Sequence, residues 1–274
     1  MEVNGSNNSS PTMESLETKK KLRILCLHGY KQNGTIFKSK TAVLRKSMKD
    51  IAEFIYIDAP HIVDEKNGTS SWWRASKDGK EYRGWEVTLD YLREVFITQG
   101  PIDGVLGFSQ GAVLCSLLCS ISSLNSDPTL ENNMYHNCFS FRFGLLFSGF
   151  QSRASIHQSL YPCSEHNNGS HNITSHNLNG SNDCLDNSSN SNSPQQSSSP
   201  KQSYPLNKIQ TPSLHCWGKS DELILASNCE SLSSHFSNPQ IYEHSYGHLV
   251  PTSKADIQTY RNFLTTFIQD CSLE

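Results

Sequence analysis

The sequence predicts an α/β domain, with a mostly parallel central sheet covered by helices on both faces. Two observations carry this reading. Short apolar runs alternate along the chain with segments of helical periodicity, the pattern of parallel strands joined by crossover helices. The runs are also apolar nearly throughout rather than at every second residue, as strands buried on both faces must be.

The first run, "LRILCLHG" (22–29), ends in glycine, and "EFIYIDAP" (53–60) follows it. A helix is expected from residue 85 to 96, where Trp85, Leu89, Leu92 and Phe96 step by four, three and four, leaving Glu86, Asp90, Arg93 and Glu94 for solvent. "IDGVLGF" (102–108) is the third strand. It runs directly into the helix formers Ala112, Leu114, Leu117 and Leu118. "FGLLFSGF" (143–150), "PSLHCWG" (212–218) and "QIYEHSYG" (240–247) complete the strands. Ile257, Tyr260, Phe263, Leu264 and Phe267 mark a last amphipathic helix.

Two segments fall outside this pattern. Residues 163–203 are almost entirely Asn, Ser, His, Gly and Gln, and residues 1–20 are similar. Neither buries enough apolar surface to offset the entropy of ordering, so both are expected to be disordered. The expected organisation is a tail over 1–20 and one domain over 21–270, interrupted by the 163–203 insertion. The rest of the 274 residues suffices for one substantial core.

A net charge of −3 gives no electrostatic reason to expect nucleic acid or an anionic membrane as partner. No apolar stretch has the length of a membrane span, and the amino terminus lacks the apolar core of a signal peptide. The nine cysteines are an odd number, and Cys26, Cys115, Cys119 and Cys216 fall inside expected strands and helices. They read as small buried hydrophobes in a reducing compartment, so a cytoplasmic location is expected.

In a parallel sheet the chemistry sits beyond the carboxyl ends of the strands. After the third strand comes Ser109, within Gly107-x-Ser109-x-Gly111. A strand that turns sharply into a helix at a serine needs small neighbours, because the strained turn leaves no room for Cβ atoms. Asp221 follows the fifth strand and His248 the sixth. A serine hydroxyl becomes a nucleophile when an imidazole takes its proton, and the imidazole needs an acceptor on its other nitrogen. The order Ser, Asp, His is the one the α/β-hydrolase fold uses. Other readings stand beside it: Asp221 as a helix N-cap, Glu222 as the acid, and His244 as a rival histidine that lies within the strand pattern.

The amide of Gln110, next to the nucleophile, and that of Tyr30, after "LHG", are the expected oxyanion-hole donors. His28 is read as a hydrogen-bonded loop organiser rather than a metal ligand. Trp72, Trp73 and Trp85 cluster between the second and third strands, and two readings of them stay open. With Phe150, Trp72 and Trp73 wall an acyl pocket, or they anchor a long loop onto the core. The series Cys163, His166, His171, His176 and Cys184 has no compact zinc spacing, and no metal is expected.

"LRILCLHGYKQNG", the Trp72-Trp73 pair, "IDGVLGFSQGA", "GLLFSGF", "GKSDELI" and "GHLVP" together resemble the serine hydrolase family first described in fungi. The resemblance runs from about Lys21 to Phe267, omitting the insertion, which is a departure from the family pattern. It implies an α/β-hydrolase with carboxylic ester hydrolase activity, a preference for longer acyl chains and no cofactor. Ser109, Asp221 and His248 fall on that family's triad. The expected partner is a small-molecule ester. The alternatives are an acyl-thioesterase, acting on acyl-proteins or acyl-CoA, and a hydrolase-fold binding protein without turnover.

Overall fold

A computed structural model describes residues 20–125, 138–162 and 208–268. The expected tail up to residue 19 and the whole 163–203 insertion, with its cysteines and histidines, lie outside the described residues.

Strand β1 (Leu22–Leu27) leads through helices α1 (Gly34–Lys40) and α2 (Ala42–Ser47) into β2 (Ala52–Tyr56). An excursion of short strands follows, β3 (His61–Asp64) with β4 (Thr69–Ser71), then β5 (Arg74–Ala75) with β6 (Tyr82–Arg83). Helix α3 (Trp85–Gln99) returns the chain to β7 (Gly104–Phe108), α4 (Gln110–Asn125) and β8 (Phe143–Phe147). A 3-10 segment (Ser155–Leu160) comes before β9 (Ser213–Gly218), α5 (Ala226–Ser233), β10 (Pro239–His244) and α6 (Lys254–Ile268).

Six of these strands form one sheet in the order β10-β9-β8-β7-β1-β2, every pair parallel. The near-continuous apolar runs follow from the pleat, which sends successive side chains to opposite faces. In β1, Leu25 and Leu27 enter one core layer while Leu22, Ile24 and Cys26 enter the other. In β7, Val105 goes to the first layer and Leu106 and Phe108 to the second. Helices α3 and α4 cover the first layer, and α1, α2 and α6 the second. Among the described residues no helix is long and apolar enough to cross a membrane.

The six long strands lie where the apolar runs predict them, each ending one to four residues before the expected boundary or at it. The strands of two to four residues between β2 and α3 are not anticipated, because segments so short carry no readable period.

Candidate active site

Between β7 and α4 a single residue, Ser109, makes the turn in a left-handed conformation, with φ of 53°. That conformation costs a residue with a Cβ about 1–2 kcal/mol, and the surroundings impose it. The Ser109 amide donates to the Phe147 carbonyl (2.9 Å), while its own carbonyl accepts from the amides of Ala112 (2.9 Å) and Val113 (3.1 Å). The flanking glycines are obligatory. A Cβ on Gly107 would sit 2.1 Å from the Gly111 carbonyl oxygen, and one on Gly111 only 2.0 Å from that of Leu27. The next strand ends in the same way: Phe147 pairs with Phe108, and Ser148 beyond it is buried with φ of 49°.

Asp221 lies three residues past the end of β9, with its side chain fully buried. One carboxylate oxygen accepts from the amides of Leu223 (3.0 Å) and Ile224 (2.9 Å). The other meets His248 Nδ1 at 2.7 Å. Burial alone pushes this carboxyl up. The Ile224 amide and the His248 ring outweigh it and hold Asp221 below the usual carboxylate range. The N-cap reading fails, because α5 starts at Ala226 and its cap is Leu225. Glu222 is exposed. His244 is buried at the end of β10, where its Nδ1 accepts from the Tyr246 amide (3.2 Å).

His248 stands in the loop after β10, its ring 4.7 Å from that of Phe108, the residue before Ser109. Ser109 and His248 are thus brought to one end of the sheet, with no hydrogen bond joining them among the described residues. In unliganded hydrolases such bonds are often long and tighten only once substrate is bound.

The amides of Tyr30 and Gln110 have no acceptor among the described residues. The turn carrying Tyr30 is fixed on both sides: the Gln32 amide donates to the Gly29 carbonyl (3.2 Å) and the Lys31 amide to the Ser70 carbonyl in β4 (3.1 Å). Beneath it, buried His28 accepts at Nε2 from the Ala59 amide (3.0 Å), so Nδ1 carries the proton and donates to the Gly29 carbonyl (2.8 Å). Burial pushes the His28 pKa down and keeps that ring neutral. Among the described residues, no three His, Cys, Asp or Glu side chains converge as metal ligands would.

The pocket-wall reading of the tryptophans needs correction. Trp72 and Trp73 are 0% and 2% exposed, inside the first core layer, and half-buried Phe150 packs against the same layer. Trp73 stacks on Tyr82 and meets Trp85 of α3 edge-on, and the His28 ring lies against Trp72. Beside His248 there is open space against the second core layer, on the other face of the sheet. A cavity of about 450 Å³ is lined by Phe37, Phe108, Tyr246, His248, Leu249 and Pro251. Of these walls, only His248 is among the site residues expected from the sequence. The only signal was "GHLVP", where two apolar residues follow the histidine in a loop.

Residues 16–260 match the family model described as serine hydrolase (FSH1). Among curated proteins, the chain is 30% identical to "Esterase CG5412" of Drosophila melanogaster over 98% of its own length and 84% of that protein. It is also 30% identical to "Esterase OVCA2" of Danio rerio, over 90% of this chain and 97% of that one. Among solved structures, it resembles Zea mays acyl-protein thioesterase 2 with a TM-score of 0.55 at 17% identity, covering 92% of this chain and 96% of that one, a likeness of fold. With its parallel sheet and a serine at the tight strand-to-helix turn, the chain belongs to the serine hydrolase (FSH1) family of α/β-hydrolases.

Proposed function

We propose that this protein hydrolyses carboxylic esters through an acyl-enzyme on Ser109. The observation that carries this is the 2.7 Å bond between Asp221 and His248, held on loops that flank a serine at a strained turn. In this reading Asp221 holds the proton on His248 Nδ1, leaving Nε2 free to take the Ser109 proton as the hydroxyl attacks the ester carbonyl. The imidazolium then protonates the departing alcohol. Water, activated by the same nitrogen, releases the acid. The amides of Tyr30 and Gln110 receive the oxyanion, the charge that develops in the transition state. The acyl chain enters the cavity beside His248, whose walls of Phe37, Phe108, Leu249 and Pro251 suit medium to long chains.

The buried, unbridged thiols of Cys26, Cys115, Cys119, Cys216 and Cys229 support a reducing compartment, in this reading the cytosol. The test is labelling by a fluorophosphonate probe, which reacts only with an activated serine. Wild-type protein should label and Ser109→Ala should not, with both folded by circular dichroism. Absence of labelling in the wild type would favour a binding protein, and labelling that persists in Ser109→Ala would move the nucleophile elsewhere. Matched p-nitrophenyl esters and acyl-thioesters then rank the two bond types by kcat/KM.

A further inference from the structure

The two proposed oxyanion amides are 80 residues apart in sequence, yet one relay of side chains ties them together. Gln110 opens α4, and both ends of its side-chain amide are engaged. Its Oε1 accepts from the Trp72 amide (3.1 Å), and its Nε2 donates to the Trp73 carbonyl (3.0 Å). A single side chain thereby bridges two successive residues of the segment after β4. The Trp72 indole N–H in turn donates to the His28 carbonyl (2.8 Å), two residues before Tyr30. Trp72 is itself anchored, since the Thr88 hydroxyl of α3 donates to its carbonyl. Every group in the relay is buried, where a misplaced partner is costly and geometry is tightly held.

The geometry points to Gln110 and Trp72 as positioning residues that aim the Tyr30 and Gln110 amides at a single oxygen. The relay also keeps the Gln110 amide free. The first amides of a helix lack intrahelical acceptors and are commonly capped by a nearby side-chain oxygen. With its Oε1 committed to Trp72, Gln110 cannot fold back onto its own helix end. A separation of 2.7–3.1 Å is what an oxyanion donor needs, and a shift of about 1 Å costs on the order of 100-fold in rate. This accounts for the tryptophan pair, which is buried in the first core layer: its work is to brace the oxyanion hole. The inference rests on the esterase reading above.

The test compares Gln110→Met, of similar length without polar atoms, with Trp72→Phe, which keeps an aromatic ring and loses the N–H. Hydrolysis of p-nitrophenyl butyrate and inhibition by an alkyl trifluoromethyl ketone, which forms a tetrahedral oxyanion on the serine, are measured in parallel. Each variant should lose about 10- to 100-fold in kcat with KM within about twofold. Ketone affinity should fall by the same factor, and the pH profile should not move. The double variant should lose little more than the worse single one, because both break one relay.

Folded variants within about threefold of wild-type kcat would overturn the inference, as would a loss confined to KM, unchanged ketone affinity, or additive losses. If Gln110→Met fails to fold, Trp72→Phe decides. A wild type that neither turns over ester nor binds the ketone overturns the esterase reading and this inference with it. An active wild type with unaffected variants overturns this inference alone.

Discussion

Ser109 stands between two aromatic flanks that the chain treats in opposite ways. On one side Trp73 stacks on Tyr82 (4.7 Å between centroids, planes 8° apart), and Trp85 meets both Trp73 (6.2 Å) and His157 (4.2 Å) edge-on. Every indole and imidazole in that group is buried. On the other side Phe108, His248, Tyr246 and Leu249 surround an open cavity, and Tyr246 and Leu249 remain 47% and 42% exposed. Aromatic content is similar on the two flanks, so it does not decide which becomes a pocket. The deciding factor is whether other elements arrive to cover the rings. Trp85 of α3 packs against Trp73 and His157 of the 3-10 segment against Trp85, while among the described residues Tyr246 and Leu249 in the loop after β10 stay exposed. The closed flank can therefore brace the site, and the open one can receive substrate.

The largest expected effect lies on the open flank, which depends on one bond. Asp221→Asn should lower kcat by about 10⁴-fold, because an amide holds the wrong tautomer of His248. Exposed Glu222→Gln should stay near wild type. Equal losses in the two variants, measured on one ester, would remove Asp221 as the acid.

On the closed flank the effect should appear as stability. Trp73→Ala should cost about 3–5 kcal/mol in denaturant unfolding, the usual range for emptying a buried aromatic site. The dependence of kcat/KM on acyl length should survive in the protein that still folds. A flattened dependence with little loss of stability would restore Trp73 as a pocket wall.

Acid should also attack the closed flank. Burial pushes the His157 pKa down from about 6.5 to about 4. A histidine depressed in the folded state binds protons more readily when unfolded, so its contribution is intact above pH 6.5 and lost as pH falls from there through about 4. Thermal midpoints should drop across that window, and His157→Asn should make the drop shallower. Identical slopes for the variant and the wild type would place the acid sensitivity elsewhere, with buried His215, pushed down to about 3, the next group to replace.

The smallest effect should come from Leu249→Ala, at the cavity wall. Each methylene added to a p-nitrophenyl ester should raise wild-type kcat/KM about fourfold, from roughly 0.8 kcal/mol of apolar burial, until the cavity fills. Leu249→Ala should reduce that gain while changing stability by no more than about 0.5 kcal/mol. A wild-type profile flat from acetate upward would remove the acyl chain from this cavity.

Much of this protein is legible in the order of its residues, and the reason is local. Strands such as 104–108 and 143–147 are apolar on both faces because each face meets its own core layer, and that demand is written in every residue of the strand. The turn at Ser109 is equally local, since glycines at 107 and 111 are required by backbone contacts at 2.1 Å or less. The placement of Asp221 and His248 just past two strand ends follows from the same alternation of elements.

What the tertiary structure alone decided depends on partners distant in sequence. Asp221 and His248 meet across 27 residues, the Gln110 side chain finds Trp72 and Trp73 across 38 and 37, and the Trp72 indole reaches His28 across 44. An indole N–H or a side-chain amide must find an acceptor when buried, but its residue type does not say which one. The tryptophans therefore read equally well as pocket wall or loop anchor until β6 and α3 are seen packed against Trp73.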